Sequence, residues 1–309
     1  MNTEITRLHG TTSADLLAIP VIMLGFHPRE SCVVLGVRGT RVEFCARMDL
    51  DWFTNDFRFG QVADQLANAV ERCSGCHVAI LAYTADPEAG ALAVEELTAV
   101  VGEDIVLEAL VTNGDLFWHV HPAGLVPPGG VPHSYGSSNF AAQAVYSGVN
   151  VDASREAAVL AVQPPHPSSS AALAATVQGV AKQLAGLRPV DRMVLLSRHM
   201  GDRDQSGNDP TELALLLQEE ELFGEVLAQL STRTAQRLRP RLAAARRISD
   251  DALAPNVLAL LTLACWLDGE GAQQSDCLAQ LESLDPWHPL MRILAKMHRS
   301  AAPPGAWDG

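Results

Sequence analysis

Residues 78–82 read Val-Ala-Ile-Leu-Ala, and this unbroken apolar run decides the fold class of the front half of the chain. A continuous run of this length is typical of a strand buried on both faces, which requires helices on both sides of a sheet. Apolar residues at helical spacing over 59–73 and 87–101 predict a helix before the run and another after it. This alternation of helix and strand predicts an α/β fold.

Two hairpins extend the predicted sheet. Runs rich in β-branched and aromatic residues at 31–37 and 41–48 are separated by a short glycine-containing loop. Runs at 105–111 and 116–120 flank Asn113-Gly114, and this dipeptide between apolar runs is the strongest hairpin signal in the chain. Together with the central run, the hairpins predict a mixed sheet of about five strands.

A short helix is predicted ahead of the sheet. The stretch 12–15, Thr-Ser-Ala-Asp, has the residue types of a helix start. We expect the helix to cover only 16–19, because Pro20 and Gly25 should end it.

The Pro- and Ser-rich tract at 163–170 divides the chain. It reads Gln-Pro-Pro-His-Pro-Ser-Ser-Ser, a composition typical of a linker. We predict an α/β domain over 1–162 and an all-helical domain over 171–309. The candidate helices of the second domain cover 171–187, 191–200, 211–221, 224–238, 241–248, 254–267, 272–283 and 289–298.

One segment of the helical domain resembles a tetratricopeptide repeat. Trp266, Gly269 and Pro286 have the spacing that runs from an aromatic residue in the first helix of such a unit to its final proline. Only one unit is visible, so the pattern also fits a single helical hairpin in an ordinary bundle. If the array exists, its concave face would bind a protein partner.

Charge and hydropathy disfavour two classes of partner. The chain has 309 residues and a formal net charge of −14, and residues 1–162 carry 8 arginines and no lysine against 19 acidic residues. A field of this sign repels phosphate backbones, so general nucleic-acid binding is not expected. No segment approaches the ~18 consecutive apolar residues of a membrane span.

The cysteines and the first residues indicate the compartment. Cys32, Cys45 and Cys265 lie in apolar runs, where a free thiol behaves as a small hydrophobic residue. The opening Met-Asn-Thr-Glu lacks the pattern of a secretory signal. A reducing, cytoplasmic location is therefore expected.

Three blocks of sequence, spread over nearly the whole chain, resemble one family. They are PVIMLGFHPRESCVV at 20–34 with ARMDL at 46–50, AAQAVYSG at 141–148 with SRE at 154–156, and LACWLDGEG at 263–271. The chain resembles in these blocks the uncharacterised, mainly actinobacterial family catalogued as domain of unknown function 4192. The resemblance implies no activity, because the family has no established function.

The long loop departs from the family pattern. Many members have Cys-Cys-Pro-Pro-x-Gly where this chain has Leu-Val-Pro-Pro-Gly-Gly at 125–130. A metal or redox role that depends on those cysteines is therefore not implied for this chain.

The main candidate site is the turn Arg29-Glu30-Ser31 together with Arg47 and Asp49. Arg47 and Asp49 are two residues apart, so they share one face of their strand near its C-terminal end, where open α/β sheets bind ligands. Either arginine can bind a carboxylate or phosphate, Asp49 can act as a base, and Ser31 can donate a hydrogen bond. The alternative is a structural Arg–Asp ion pair at the strand end.

His119, His121 and His133 lie on or beside the loop at 121–138, which would cover the candidate site. His119 and His121 share a strand face and, with His133, suggest a metal site. Polar residues on an exposed strand face explain the pair equally well, and the loop has no acidic or thiol partner. We predict no metal site here and expect His121 and His133, together with Arg29 and Glu30, to bind a ligand.

Cys73 and Cys76 have the CxxC spacing of redox and metal sites. A redox pair usually opens a helix after a strand, whereas this pair is predicted to end a helix and precede a strand. A helix C-cap with Gly75 in the left-handed conformation is the alternative.

The stretch 202–207, Asp-Arg-Asp-Gln-Ser-Gly, resembles the start of an EF-hand loop. Its twelfth position is Leu213 rather than glutamate, which disfavours calcium. Residues 209–212, Asp-Pro-Thr-Glu, are better explained as an N-cap, a proline at the first helical position and a capping glutamate.

Six arginines between 233 and 247 form the main basic concentration. We expect a solvated helix face, because no aromatic residues lie between the arginines. The alternatives are contact with RNA, with an acidic partner or with the acidic N-terminal domain.

The sequence is compatible with two functions from different classes. The first is a cytoplasmic binding, regulatory or scaffold protein whose helical domain docks a protein partner while the α/β domain accepts a small ligand. The second is an enzyme, a hydrolase or transferase, with its site at the strand ends. The sequence does not predict a cofactor, and it is compatible with a homo-oligomer.

Overall fold

A computed structural model describes residues 12–121, 129–149, 151–166, 170–201, 209–300 and 302–307. The chain forms two compact units, Met1–Ala157 and Ala158–Gly309. Part of the predicted linker, 167–169, lies outside the described residues. Val159 and Val162 pack into the core of the second unit.

The N-terminal unit contains a mixed sheet of six strands, which confirms the predicted α/β fold. The strands are β1 (Ser31–Arg38), β2 (Arg41–Asp49), β3 (His77–Tyr83), β4 (Val106–Thr112), β5 (Leu116–His121) and the two-residue β6 (Val131–Pro132). Their order is β2-β1-β3-β4-β5-β6. Among the strands that the structure describes, only the neighbours β3 and β4 run parallel, and the other neighbouring strands are antiparallel.

Helices cover both faces of this sheet. The described α-helices of the unit are α1 (Ser13–Leu24), α2 (Asp56–Arg72), α3 (Pro87–Val101) and α4 (Asn139–Tyr146), and α5 (Arg155–Val159) spans the boundary between the units. Val78 and Ile80 pack on the side of α2 and α3, whereas Ala79 and Leu81 pack on the side of α1. Both sets are buried because successive strand residues alternate between the faces, as the run at 78–82 predicts.

Helix α1 is longer than predicted. It begins with a capping box between Thr12 and Asp15 and continues through Pro20 to Leu24. The prediction that Pro20 ends the helix is wrong. Burial of Leu17 and neighbouring apolar residues holds the helix together despite the lost backbone bond, and Gly25 ends it at φ +74°.

The second unit is all-helical, as predicted. Its helices are α6 (Ser170–Ala185), α7 (Pro189–Met200), α8 (Pro210–Leu216), α9 (Glu220–Gln229), α10 (Thr232–Arg246), α11 (Ala254–Asp268), α12 (Gly271–Leu284) and α13 (Met291–Arg299). Helix α11 is buried over nearly its whole length and forms a hairpin with α12. Gly269, with φ +82°, ends α11 and allows the turn into α12. Among the described helices, none is both long and apolar enough to cross a bilayer.

The boundary between α9 and α10 differs from the prediction. The predicted helices at 224–238 and 241–248 assume a break near Pro240, but Pro240 lies inside α10. The break occurs at Leu230, because Ser231 and Thr234 form a capping box that begins a new helix. Buried Leu238 and Leu242 hold α10 together on either side of the proline.

Candidate functional site

A cavity of about 450 Å³ lies at the carboxyl ends of the parallel strands β3 and β4. Its walls come from α1, the turn before β1, the ends of these two strands and the segment after β6. Open α/β sheets bind ligands in the crevice outside the carboxyl ends of parallel strands. The position of the cavity follows from this single parallel pair.

Glycine at position 90 lets α3 approach the two strand ends closely. A Cβ atom at Gly90 would lie 2.8 Å from a methyl carbon of Val111 and 2.9 Å from the methyl carbon of Thr84. These distances are shorter than normal carbon contacts, so a side chain at this position would displace α3 or the strand ends. Thr84 also lines the cavity.

Glu30 fixes the turn that forms one wall. Its φ of +41° is the only positive value among the described residues other than glycine. Its carboxylate accepts hydrogen bonds from Thr84 Oγ1 at 2.8 Å and from the Ala85 backbone N–H at 3.0 Å. These bonds compensate the unfavourable backbone conformation and tie the turn to the end of β3.

Arg29 is an exposed residue that lines the cavity and carries a positive charge there. Because the Glu30 carboxylate is directed to Thr84 and Ala85, it does not pair with the neighbouring arginine. Within the described part of the chain, the Arg29 guanidinium makes no hydrogen bond or ion pair. Burial lowers the pKa of His27, and the charge of Arg29 lowers it further.

Thr112 determines the tautomer of His133. The Thr112 hydroxyl donates to the Leu116 carbonyl at 2.8 Å and accepts from the Gly114 N–H at 3.0 Å. Its third neighbour is His133 Nε2 at 2.8 Å, which must donate because the single hydroxyl proton is already used. Nδ1 is then the acceptor nitrogen, and it is buried without a partner among the described residues.

Burial keeps the cavity histidines neutral and the tyrosine protonated. It lowers the pKa of His133, against a smaller opposing effect of Asp115, and it raises the pKa of Tyr135. The rings of Tyr135 and His27 meet edge to face with centroids 4.8 Å apart. The Tyr135 hydroxyl oxygen is buried and has no partner among the groups that the structure describes. The cavity therefore combines the charged side chains of Arg29 and Glu30 with neutral groups that can form further hydrogen bonds.

The predicted cluster divides into two parts. Arg29, Glu30 and His133 line the cavity, whereas Ser31, Arg47 and Asp49 do not. Arg47 Nη2 lies 2.6 Å from Asp49 Oδ1. Ser31 is fully buried opposite Asp49 in the β1–β2 register, and its hydroxyl has no partner among described groups.

The three histidines near the loop do not converge. His119 Nδ1 lies 3.4 Å from Glu108, whose carboxylate also accepts the Ser13 hydroxyl at 2.6 Å. His121 Nδ1 lies 3.7 Å from Glu103, away from the cavity. Within the described ranges, no group of three or more His, Cys, Asp or Glu residues is arranged to hold a metal ion. Residues 122–128 of the loop lie outside those ranges.

The predicted calcium-like loop lies largely outside the described residues, which resume at Asp209. Asp209 caps α8 by accepting the Thr211 N–H at 2.8 Å, and Pro210 is the first helical residue, as predicted. Glu212 does not complete the cap. Its carboxylate lies 2.8 Å from the buried His199 instead.

Sequence reasoning missed the cavity residues His27, Thr84, Thr112 and Tyr135. The strand-end rule could have singled out Thr84 and Thr112, because Thr112 directly follows the predicted strand 105–111 and Thr84 lies two residues beyond the predicted strand 78–82. The sequence does not say which strands are parallel neighbours. The contributions of His27 and Tyr135 depend on long-range packing and carry no local signal.

The fold and the cavity define an α/β unit with a strand-end pocket, followed by a helical unit. The chain belongs to the family described as a domain of unknown function (DUF4192), whose model matches residues 14–305. This match covers nearly the whole chain and confirms the resemblance seen in the three sequence blocks. No curated protein and no solved structure matches the chain.

Proposed function

We propose that the N-terminal unit binds a small molecule with an apolar body and one acidic group, and that the chain is a binding or regulatory protein. The observation that supports this is the cavity at the ends of β3 and β4 with the unpaired guanidinium of Arg29 on its wall. Its volume of about 450 Å³ falls within the range of small-molecule sites.

Charge supports the acidic group of the ligand. Residues 1–162 have 8 arginines against 19 acidic residues, so an anion needs a local cation to bind this unit. Arg29 supplies that cation, and a guanidinium forms paired hydrogen bonds with a carboxylate. His27 and His133, whose lowered pKa values favour the neutral form, add polar contacts without a second positive charge.

The cavity walls support the apolar body. Leu17, Val21, Pro28 and the Tyr83 ring contribute apolar surface. Burial of such surface drives binding at about 25 cal/mol per Å². A small inorganic anion would leave this surface unused, so an organic acid fits better.

We further propose that the helical unit docks a protein partner and that the protein works in the cytoplasm. Trp287 is 90% exposed, and Val190 and Val194, one turn apart on α7, are 58% and 50% exposed. Exposed large apolar residues of this kind support a docking role. Cys32 and Cys265 are unpaired buried thiols, which suit a reducing compartment.

The binding proposal is tested by calorimetry with phenylacetate and octanoate and with the corresponding amides. The carboxylates should bind and the amides should bind at least tenfold more weakly, because only the carboxylate pairs with Arg29. Arg29→Gln should remove this preference. Arg58→Gln, which changes an exposed arginine of α2, is the matched control. Equal binding of acids and amides to the unaltered protein would contradict the proposal.

A specific feature also favours an enzyme at the same cavity. His133 has a fixed tautomer and an unpartnered Nδ1, which is the form required of a general base. A hydrolase or transferase would use this base to remove a proton from a bound nucleophile. The two functions differ in turnover: a bound acid recovered unchanged after long incubation supports a binding protein, whereas chemical conversion that His133→Asn abolishes without weakening binding supports an enzyme.

A further inference from the structure

The turn between α2 and β3 contains two adjacent cysteines that the proposed function does not use. Cys73 ends α2, Cys76 precedes β3, and their Cα atoms are 5.4 Å apart. This separation is within the range that a disulfide requires, and the two sulfur atoms are bonded. Gly75, at φ +75°, supplies the backbone conformation that closes the turn.

A basic side chain lies directly beside one of the two sulfur atoms. Arg38, at the end of β1, directs its Nη2 to Cys73 Sγ at 3.7 Å. A guanidinium at this distance favours the thiolate, the form of cysteine that attacks disulfides. Cys76 has no comparable contact among the described residues. This asymmetry distinguishes an attacking sulfur from a resolving one.

Of the remaining cysteines, Cys32, Cys265 and Cys277 are buried and Cys45 is half-buried, and none of them lies in an exposed turn. Burial raises the pKa of Cys32 and of Cys45 to about 12. Cys265 and Cys277 are completely buried in the helical unit. Cys73 and Cys76 are also largely covered, but the residues between them, Ser74 and Gly75, are exposed, so the pair lies in a surface turn.

We propose that Cys73 and Cys76 form a reversible thiol–disulfide exchange site for low-molecular-weight disulfides. The Cys73 thiolate attacks one sulfur of the small disulfide, which forms a mixed disulfide and releases one small thiolate. Cys76 then attacks Cys73 Sγ and expels the second thiolate. Two protein thiols are oxidised, one disulfide is reduced to two thiols, and each departing thiolate takes up one of the two protons.

The proposal is tested directly on the whole chain of 309 residues, with glutathione as the probe. The protein is equilibrated at several ratios of reduced to oxidised glutathione, acid-quenched, alkylated and cut after glutamate, which releases residues 72–88 with both cysteines. This peptide should change from two alkylated thiols to an unalkylated disulfide as oxidised glutathione increases. Peptides containing Cys32, Cys45, Cys265 and Cys277 should stay alkylated. A peptide 72–88 that stays a dithiol at every ratio, or equal oxidation of all six cysteines, would overturn the proposal.

Variants identify the attacking sulfur. Cys76→Ser should trap glutathione on Cys73, whereas Cys73→Ser should trap it on Cys76 at least tenfold more slowly. Arg38→Gln should slow the exchange several-fold and Arg38→Lys should largely restore it, with Arg58→Gln as the control arginine. Faster trapping on Cys76, or no effect of Arg38→Gln, contradicts the assigned roles. The peptide measurement on the unaltered protein needs no variant and decides the exchange itself.

Discussion

The N-terminal unit has two polar clusters that differ in whether they line the cavity. In the first, Arg47 and Asp49 form a close ion pair on the strand β2 opposite Ser31, and the buried atoms Arg47 Nε and Ser31 Oγ have no partner among the described residues. In the second, Arg29 faces a cavity without a partner among the described residues, and His133 keeps an unpartnered nitrogen. Unpartnered polar groups in a packed core only cost stability, whereas unpartnered groups on the wall of a cavity are available to a ligand. The comparison distinguishes Arg29 from Arg47, which the sequence places in the same candidate site although only Arg29 lines the cavity.

The largest effect on stability is expected from Glu30→Ala. This change removes the acceptor of two hydrogen bonds while keeping the positive φ, so the unfolding free energy should fall by about 2–3 kcal/mol. Glu30→Gln keeps one acceptor oxygen and should lose about half as much. Urea unfolding of both variants measures this. An unchanged midpoint for Glu30→Ala would mean that the turn is held by other contacts.

Asp49→Ala is expected to have the next largest effect. Arg47 is largely buried, so the loss of its partner should reduce the unfolding free energy by about 1–2 kcal/mol. This is less than for a fully buried ion pair, because Asp49 is partly exposed to solvent. Phenylacetate binding should stay the same. Asp51→Ala, which affects a longer and more exposed pair with Arg58, is the control and should cost less than about 0.5 kcal/mol. Lost binding at unchanged stability would return Asp49 to the functional site.

Ser31→Ala should slightly stabilise the protein. The buried hydroxyl has no partner among the described groups, so its removal should raise the unfolding free energy by about 0.5–1 kcal/mol. The same denaturation assay applies, with Ser74→Ala in an exposed turn as the reference. A loss of phenylacetate affinity in Ser31→Ala would place this hydroxyl in the second cluster rather than the first.

The smallest effect concerns pH. Burial lowers the folded-state pKa of His27 and His133 below the ordinary 6.5, so both are neutral in the folded protein when the unfolded chain begins to protonate them. Their contribution to stability is complete above pH 6.5 and is lost as the pH falls from 6.5 through the lower folded-state values. Denaturation midpoints should therefore fall over this window, and less steeply in His133→Gln than in the unaltered protein. Equal slopes would mean that His133 is accessible to protons in the folded state.

Local patterns in the sequence predicted the existence of helices and strands better than the residues at which they end. The run at 78–82 correctly indicated a strand buried on both faces, and Asn113-Gly114 correctly indicated a hairpin. Both prolines expected to end helices, Pro20 and Pro240, lie inside them. A proline inside a helix removes one backbone hydrogen bond, but the packing of its buried apolar neighbours outweighs this loss. This packing depends on residues that are distant in the sequence, so a local pattern does not predict it.

The side chains of the helical unit give a second example. The arginines between 233 and 247 were expected to form a solvated face, but Arg246 is 2% exposed and donates to the Gln280 side chain and the Ser249 carbonyl, each at 2.9 Å. Arg239 pairs with Asp268 at 2.6 Å. This expectation is wrong for these two residues, because their acceptors lie far away in the sequence or in a loop. The cavity was missed for the same reason.

Because α3 approaches Thr84 and Val111 closely at Gly90, a substitution at this position would change the shape of the pocket. Alanine or serine there would press on Thr84 and Val111 and reshape the pocket without replacing any residue that lines it. A graded series of small substitutions at position 90 would thus change which sizes of molecule the pocket accepts while its chemical groups stay constant, a useful separation for anyone engineering this scaffold.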